Sequence, residues 1–342
     1  MRLEQFGWNV AWEQAFAPFR RQDLIAGRVT RSGRGPCLVV TAAGEATAPV
    51  AGRLLREDEA PVAGDWVALR PDGSLIEAVL PRRSLFGRKE AGRRTREQPL
   101  AANVDVVFLV MGLDQDFQPR RLERYLVQAW ESGARPVVVL NKLDVCTEPE
   151  LRIREARRSA PGAPVFAMSA LYDGDLRLLA EHVQTAETAA LLGSSGVGKS
   201  TIVNRLLGFE LQATRPVREH DGRGLHTTTH RELIHLEQGW LLVDTPGLRE
   251  LQLWSEGEGL EQAFPEIEDL AGQCRFRDCA HQGEPGCAVT GVVDEARLAG
   301  YHKLLREVAA SERRRDQAAA SEEKRRLRAM HRSMRRIPRT KW

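Results

Sequence analysis

The chain has 342 residues, 42% of them hydrophobic and 28% charged, with a net charge of +3. At roughly 100 to 200 residues per domain this supplies two or three packed domains, and it excludes a chain that is disordered throughout. No run reaches the ~18 uninterrupted apolar residues of a membrane-spanning helix, and Met1 to Ala17 lacks the basic and apolar regions of a secretory leader, so a cytoplasmic protein with no membrane partner is expected.

The charge is unevenly placed. Residues 311–342 hold 12 Lys/Arg against 4 Asp/Glu, a balance of +8, which leaves −5 on residues 1–310. A second basic cluster comprises Arg82, Arg83, Arg88, Lys89, Arg93, Arg94 and Arg96. Two basic segments on an otherwise acidic chain point to a polyanionic partner, nucleic acid foremost, although each alone also suits a solvated face or a tail.

In chain order, a short helical piece precedes residues 21–98, where β-prone runs (Cys37 to Thr41, Trp66 to Arg70, Ser74 to Val79) alternate with turns at Gly33, Gly35, Pro36, Pro71 and Gly73. This rhythm predicts a small all-β barrel. From residue 99 apolar strands alternate with helical stretches: Val104 to Met111, Arg120 to Ser132, Pro136 to Leu140, and onward to Leu251. That pattern predicts an α/β domain, a mostly parallel sheet with helices on both faces, over residues 99–255. A cysteine-bearing segment, 256–310, and a charged, helical or disordered tail, 311–342, complete the division.

The first chemical signal in the α/β region is Asn141-Lys142-Leu143-Asp144, directly after an apolar strand, where open α/β sheets collect ligands. Guanine presents two adjacent donors that an ionised Asp144 can accept, while Asn141 can serve acceptors on the other side of the ring. Adenine offers no such pair. The tetrapeptide alone is weak, and so is the following Met168-Ser169-Ala170, which fits a loop backing the base.

Both gain force from Gly193-Ser194-Ser195-Gly196-Val197-Gly198-Lys199-Ser200, followed by Thr201, which matches G-x-x-x-x-G-K-[ST] between a strand (Ala189 to Leu192) and a helix (Ser200 to Leu207). In such a loop the glycines let backbone amides close on phosphates, Lys199 adds positive charge, and the Ser200 hydroxyl can ligate magnesium. Next comes Gly222 to Thr229, a glycine-hinged polar segment suited to a switch. One of Thr227, Thr228 or Thr229 can complete the magnesium shell, Thr228 being favoured, and His226 is the candidate to position water. Asp244-Thr245-Pro246-Gly247 fits D-x-x-G, in which the aspartate reaches magnesium through water and the glycine amide senses the γ-phosphate. Leu248 stands where a water-orienting glutamine is often found, so slow intrinsic turnover is expected. The base motif precedes the phosphate loop, which implies a circular permutation, a rearrangement tolerated when termini lie close together.

Cys274, Cys279, His281 and Cys287 follow. Three thiolates and an imidazole at this spacing suit one tetrahedral, structural zinc with no open position, whereas Cys37 and Cys146 are isolated.

These segments together, NKLD, GSSGVGKST, GRGLHTTTH, DTPG and CRFRDCAHQGEPGCAV, resemble the ribosome small-subunit-dependent GTPase A (RsgA/YjeQ) family over nearly the whole length. Leu225 departs from the Lys or Gln common there. The resemblance implies an OB-fold N-terminal domain, a permuted GTPase domain and a zinc-binding C-terminal domain. It further implies a late maturation or checkpoint role on the 30S subunit and its 16S rRNA, with GTP hydrolysis stimulated by that subunit; a monomer is expected. Two other readings stay open at this point. An RNA-binding scaffold gated by GTP is favoured by Leu248, and an ATP-using kinase is opposed by NKLD.

Overall fold

The computed structural model describes residues 2–33, 35–57, 59–89, 97–208, 231–244 and 258–313. Helix α1 (Val10–Arg20) begins where the Asn9 side chain accepts from the amides of Ala11 and Trp12, satisfying donors that a first helical turn leaves open. It lays Trp12 and Phe16 against the barrel.

The barrel is built from β1 (Ile25–Ser32), β2 (Cys37–Thr41), β3 (Gly44–Ala48), β4 (Trp66–Leu69) and β5 (Ile76–Val79), with the short α2 (Gly52–Arg56) between β3 and β4. β1 pairs antiparallel with both β2 and β4, β4 pairs with β5, and a parallel bridge from Val50 to Ile76 brings the two ends together. Five strands closed in this way make the partly open barrel of an OB-fold. Its core is Val29, Val39, Leu54, Val67, Leu69 and Ile76, with Cys37 buried among them, where desolvation pushes its thiol up to about 11.

A hairpin of β6 (Leu85–Lys89) and β7 (Glu97–Ala102) follows, so Arg88 and Lys89 of the basic cluster sit on a strand that runs toward the hairpin tip. β7 crosses residue 98 without a break.

The α/β region comprises β8 (Val106–Gly112), α3 (Pro119–Glu131), β9 (Arg135–Asn141), α4 (Pro149–Ser159), β10 (Val165–Ala167), α5 (Asp173–Ala180), β11 (Thr188–Leu192), α6 (Lys199–Leu206), β12 (Arg231–His235) and β13 (Leu241–Asp244). The sheet order is β10-β9-β8-β11-β13-β12, parallel throughout except for β12. All seven residues of β8 are buried, which is why it reads as an uninterrupted apolar run: a strand covered on both faces needs no polar side. The barrel is not separate from this sheet. β1 outruns its partners and pairs Arg31 with Glu232 and Ser32 with Arg231, so β12 carries the ladder onward from β13 into β1.

The C-terminal part holds α7 (Glu258–Ala263), α8 (Pro265–Ala271), the cysteine-bearing turns, and a final helix, α9, over residues 295–313. Leu260, Phe264 and Ile267 pack with Leu298, Tyr301 and Leu304 in the same core that underlies α3. No helix among the described residues is long and apolar enough to cross a membrane.

Candidate functional site

Because β9, β10, β11 and β13 are parallel neighbours or near neighbours, their carboxyl ends emerge on one edge of the sheet. That edge receives Asn141 to Asp144, Ser169 and Ala170, the Gly193 loop and Asp244, although these segments lie far apart in the sequence. Asp244 ends β13, one strand from β11, where Val243 pairs with Ala190.

The Gly193 loop joins β11 to α6 and contains three positive-φ glycines, Gly193, Gly196 and Gly198. Two of them are required by close approach. A Cβ on Gly193 would lie 2.2 Å from the Val110 carbonyl oxygen, and one on Gly198 would lie 2.2 Å from Asn141 Nδ2. Lys199 is nearly buried and turns back over the loop, donating from Nζ to the Gly193 carbonyl at 2.5 Å and also to the Ser194 carbonyl. Val197 is buried, Ser195 and Gly196 are exposed, and Ser200 and Thr201 begin the first turn of α6 with its amides at the loop. A curled loop of amides ahead of a helix N-terminus, with one lysine folded over it, is a cradle for phosphate.

Asn141 does more than its sequence position suggests. Its Nδ2 donates to the Val197 carbonyl and its Oδ1 accepts from the Ala170 amide, both at 2.8 Å, and the side chain is 2% exposed. The carboxamide therefore staples the phosphate loop to the Ser169-Ala170 loop, and this bracing was invisible to a reading that assigned it only to the base. Asp144, by contrast, is exposed, and its carboxylate is steadied by the Ser169 hydroxyl. The Ser169 amide donates to Asp175 at 2.7 Å, and Arg205 of α6 donates to the Ala170 carbonyl at 3.0 Å. Lys142 takes φ +69°, an uncommon backbone for a lysine, and donates from Nζ to Asp114 Oδ2 at 2.6 Å. Burial pushes the Asp114 carboxyl up, but bonds from Lys142 and the Asp116 amide outweigh it and hold the group below its ordinary value. Asp114, Asp116, Asp175 and Arg205 escaped the sequence reading because no local motif marks them.

The structure thus brings together Asn141, Lys142, Asp144, Ser169, Ala170 and the loop from Gly193 to Thr201. His226, Thr227, Thr228, Thr229, Gly247 and Leu248 lie outside the described residues, as do Leu225, Arg93, Arg94, Arg96 and the tail beyond residue 313.

A second site lies in the C-terminal part. One ligand atom each from Cys274, Cys279, His281 and Cys287 falls within 4.8 Å of the other three. His281 Nδ1 is 3.7 Å from Cys274 Sγ and 3.5 Å from Cys287 Sγ. His281 itself takes φ +57°, the turn that aims its ring at the sulfurs. The Ala288 amide donates to Cys274 Sγ at 3.3 Å, while the Thr290 hydroxyl and amide donate to Cys287 Sγ at 3.2 and 3.4 Å. Those Thr290 bonds pull the Cys287 thiol down to about 6, while the nearby sulfurs of Cys287 and Cys274 push the Cys279 thiol up, so the cluster favours a thiolate at Cys287 first. The cluster can hold a metal ion with four protein ligands.

The family model for the RsgA GTPase matches residues 79–254. The chain is 47% identical over 338 residues to the small ribosomal subunit biogenesis GTPase RsgA of Opitutus terrae, with 92% of each chain covered. It is 44% identical over 330 residues to the protein of the same name from Syntrophotalea carbinolica, with 91% of each covered. Among solved structures it is similar to YjeQ from Thermotoga maritima, at 28% identity and a TM-score of 0.64, covering 84% of this chain and 99% of that one. It also has the fold of YloQ, described as a circularly permuted GTPase, with a TM-score of 0.63 and 24% identity over 84% of this chain and 96% of that one.

Proposed function

The chain belongs to the RsgA GTPase family, and from that premise we propose that its sheet-edge site binds guanosine triphosphate for work on the small ribosomal subunit. It is a GTPase: hydrolysis transfers the γ-phosphoryl group to water, giving GDP and inorganic phosphate. Asp144 accepts the two donors of guanine, Asn141 offers its remaining N–H to the ring while holding the loops together, and Ser169-Ala170 backs the base. The amides of Gly193 to Ser200 and the Lys199 ammonium take the phosphates once Lys199 exchanges its carbonyl partners for them. Ser200, Asp244 and Thr228 would hold magnesium, which would supply positive charge to the phosphates when bound. Gly247 is assigned to the γ-phosphate and His226 to the attacking water.

The observation that carries this reading is the Asn141 staple. One side chain from the base motif bonds both the phosphate loop and the Ser169-Ala170 loop, so base and phosphate recognition share a single site despite the scrambled order.

The cysteine cluster is assigned to one structural zinc. Zinc–sulfur bonds of about 2.3 Å and a zinc–nitrogen bond of about 2.0 Å space tetrahedral ligand atoms roughly 3.5 to 3.8 Å apart. The histidine–sulfur separations of 3.5 and 3.7 Å match that spacing. The partner is the 30S subunit through its 16S rRNA, reached by the barrel (1–98) and the basic segments. The GTPase part (99–255), the zinc lobe (256–310) and the tail (311–342) act as a monomeric cytoplasmic factor. Phosphate release measured with and without purified 30S subunits across a salt series tests the assignment. Stimulation that fades as salt rises is expected, since Lys/Arg contacts to RNA phosphates weaken with salt. An unstimulated rate at every salt concentration would remove the ribosomal half of the reading.

A further inference from the structure

Helix α3 touches the phosphate loop at one end and the C-terminal lobe along its next turns. At its start, Arg121 donates to Ser194 Oγ at 3.0 Å and is paired with Asp116, and the Ser194 hydroxyl donates to the other oxygen of that carboxylate. The triangle is only a quarter exposed at its two charged members. Asp116 is itself oriented, because its amide donates at 3.0 Å to Asp114, which also holds Lys142. The side chain of the second residue of the phosphate loop is therefore held by α3 and the turn before it, while Lys199 holds its carbonyl.

A few residues along the helix, Glu123 pairs with Arg297 of α9 at 2.9 Å, both almost buried, and Arg124 pairs with Glu307 at 2.9 Å. Arg297 also bonds Glu266 and the Ala263 carbonyl and lies 3.9 Å over the Phe264 ring. Glu131 accepts from the Gly259 amide at 2.9 Å, and Gly259 packs so close that a Cβ would lie 2.5 Å from the Val127 carbonyl oxygen. A three-turn helix is stiff, so a shift of the lobe moves Arg121 with it.

We propose that Arg121, held by Asp116, is a positioning residue for the phosphate loop, and that through α3 the seating of the C-terminal lobe sets how tightly this loop holds guanine nucleotide. The inference rests on the reading of the Gly193 loop as the nucleotide site. It makes the lobe a sensor: whatever the lobe docks against alters nucleotide affinity through packed side chains, without passing through the segment 209–230.

The test uses the full-length protein and a fluorescent GDP. Arg121→Ala raises Kd and KM on the order of 10-fold, the loss of a charge-assisted bond, with kcat nearly unchanged. Arg121→Lys falls between, since one nitrogen, Nη1, serves both Ser194 and Asp116, and a lysine keeps the charge on a shorter side chain without the planar group that aims that nitrogen. In a Ser194→Ala background, Arg121→Ala adds little, because the atom it holds is gone. Arg297→Lys raises Kd in the parent but not in Arg121→Ala. Arg124→Ala, at a part-exposed pair, is the equivalent variant that leaves the buried charges intact. Additive effects in these pairs, or a drop in kcat at constant Kd, would overturn the proposal. Failure of the parent protein to bind GDP would instead remove the nucleotide-site reading, whereas normal parent binding with an unchanged Kd in Arg121→Ala removes only the clamp.

Discussion

Asp144 is exposed and steadied by one hydroxyl, the state a base-reading carboxylate needs before its ligand arrives. Asp144→Asn replaces an acceptor pair by one acceptor and one donor, which faces the guanine donors with a repulsive N–H. GTP affinity is expected to fall on the order of 10²-fold or more, with xanthosine triphosphate, whose 2-oxo group accepts, now preferred. Competition of the two triphosphates against labelled GDP reads this directly, and an unchanged preference for GTP would clear Asp144 of the role. Asp114 works on the same motif from behind. Its carboxyl lies below the ordinary 3.8 in the folded protein, so its pairing with Lys142 stabilises the fold at any pH above that value and is lost as pH falls through the lower folded one. Asp114→Asn should therefore lower the unfolding free energy at pH 7 and pH 5 alike, by about 1 kcal/mol or less because the pair is about a third exposed, read as a lower urea midpoint. The gap from the parent protein should narrow only below pH 3.8. A gap that instead widened toward acid pH would mean that the group is held by something other than Lys142.

Elements with one clear period were legible in the sequence, and those whose residues answer to distant partners were not. β8, β9 and β11 are continuous apolar runs because both faces are covered, and the helix after the phosphate loop follows from the loop itself. β1, the strand that joins barrel to sheet, is not legible in the sequence because Gly27 on one face and Arg28 and Thr30 on the other break its apolar pattern. Yet Gly27 lies where a Cβ would sit 2.5 Å from Val39 Cγ1, and Arg28 is buried by contacts from four other segments. β6 and β7 were read as charge, since their arginines and lysine outweigh their alternation. In the site, the motif residues could be named from spacing, but Arg121 meets a serine 73 positions away, and no window of sequence reports such a contact. The cysteine turns are legible for the opposite reason, being local: all four ligands fall within fourteen residues. On the proposed zinc assignment a metal there would tie together turns that have little core of their own, so the order of these turns would depend on it. Cys279→Ser is expected to release the metal, measured as zinc per chain by atomic emission, and to raise amide exchange over residues 274–293. Nucleotide should still bind, because none of these residues touches the sheet edge, but more weakly than in the parent protein if the loosened lobe seats less firmly against α3. Full metal content in that variant would exclude Cys279 as a ligand.

Across the whole molecule, the joint between barrel and GTPase sheet depends on Arg28. Its guanidinium donates to the carbonyls of Phe6, Gly64 at 3.3 Å and Asn103 at 3.2 Å, and to Thr188 Oγ1 at 2.7 Å, while lying 5.2 Å over the Trp66 ring. Those partners belong to the N-terminal segment, the barrel, the link between β7 and β8, and β11, whose far end is the phosphate loop. Burial lowers the guanidinium to about 10, against Asp105 and Asp65 which favour its charge, so it stays protonated at neutral pH. Hydrophobic contact alone would let the barrel slide on the sheet, whereas a planar fork with fixed acceptors admits one docking angle. The barrel and the carboxyl edge of the sheet consequently keep a fixed geometry, which the proposed reading of RNA at one and GTP at the other requires. Arg28→Met preserves the aliphatic volume but takes this donor from the Phe6 and Asn103 carbonyls and the Thr188 hydroxyl and removes a positive charge beside Asp105, while the Gly64 carbonyl keeps Asn103 Nδ2 and Asp65 keeps Arg82. A loss of about 3 to 5 kcal/mol is expected, read as a fall in the urea midpoint. It should be accompanied by faster amide exchange in β1 and β4 than in β8 and β9, because the sheet keeps its own core. A midpoint and exchange pattern equal to those of the parent protein would show that the joint is held by the β1–β12 ladder alone.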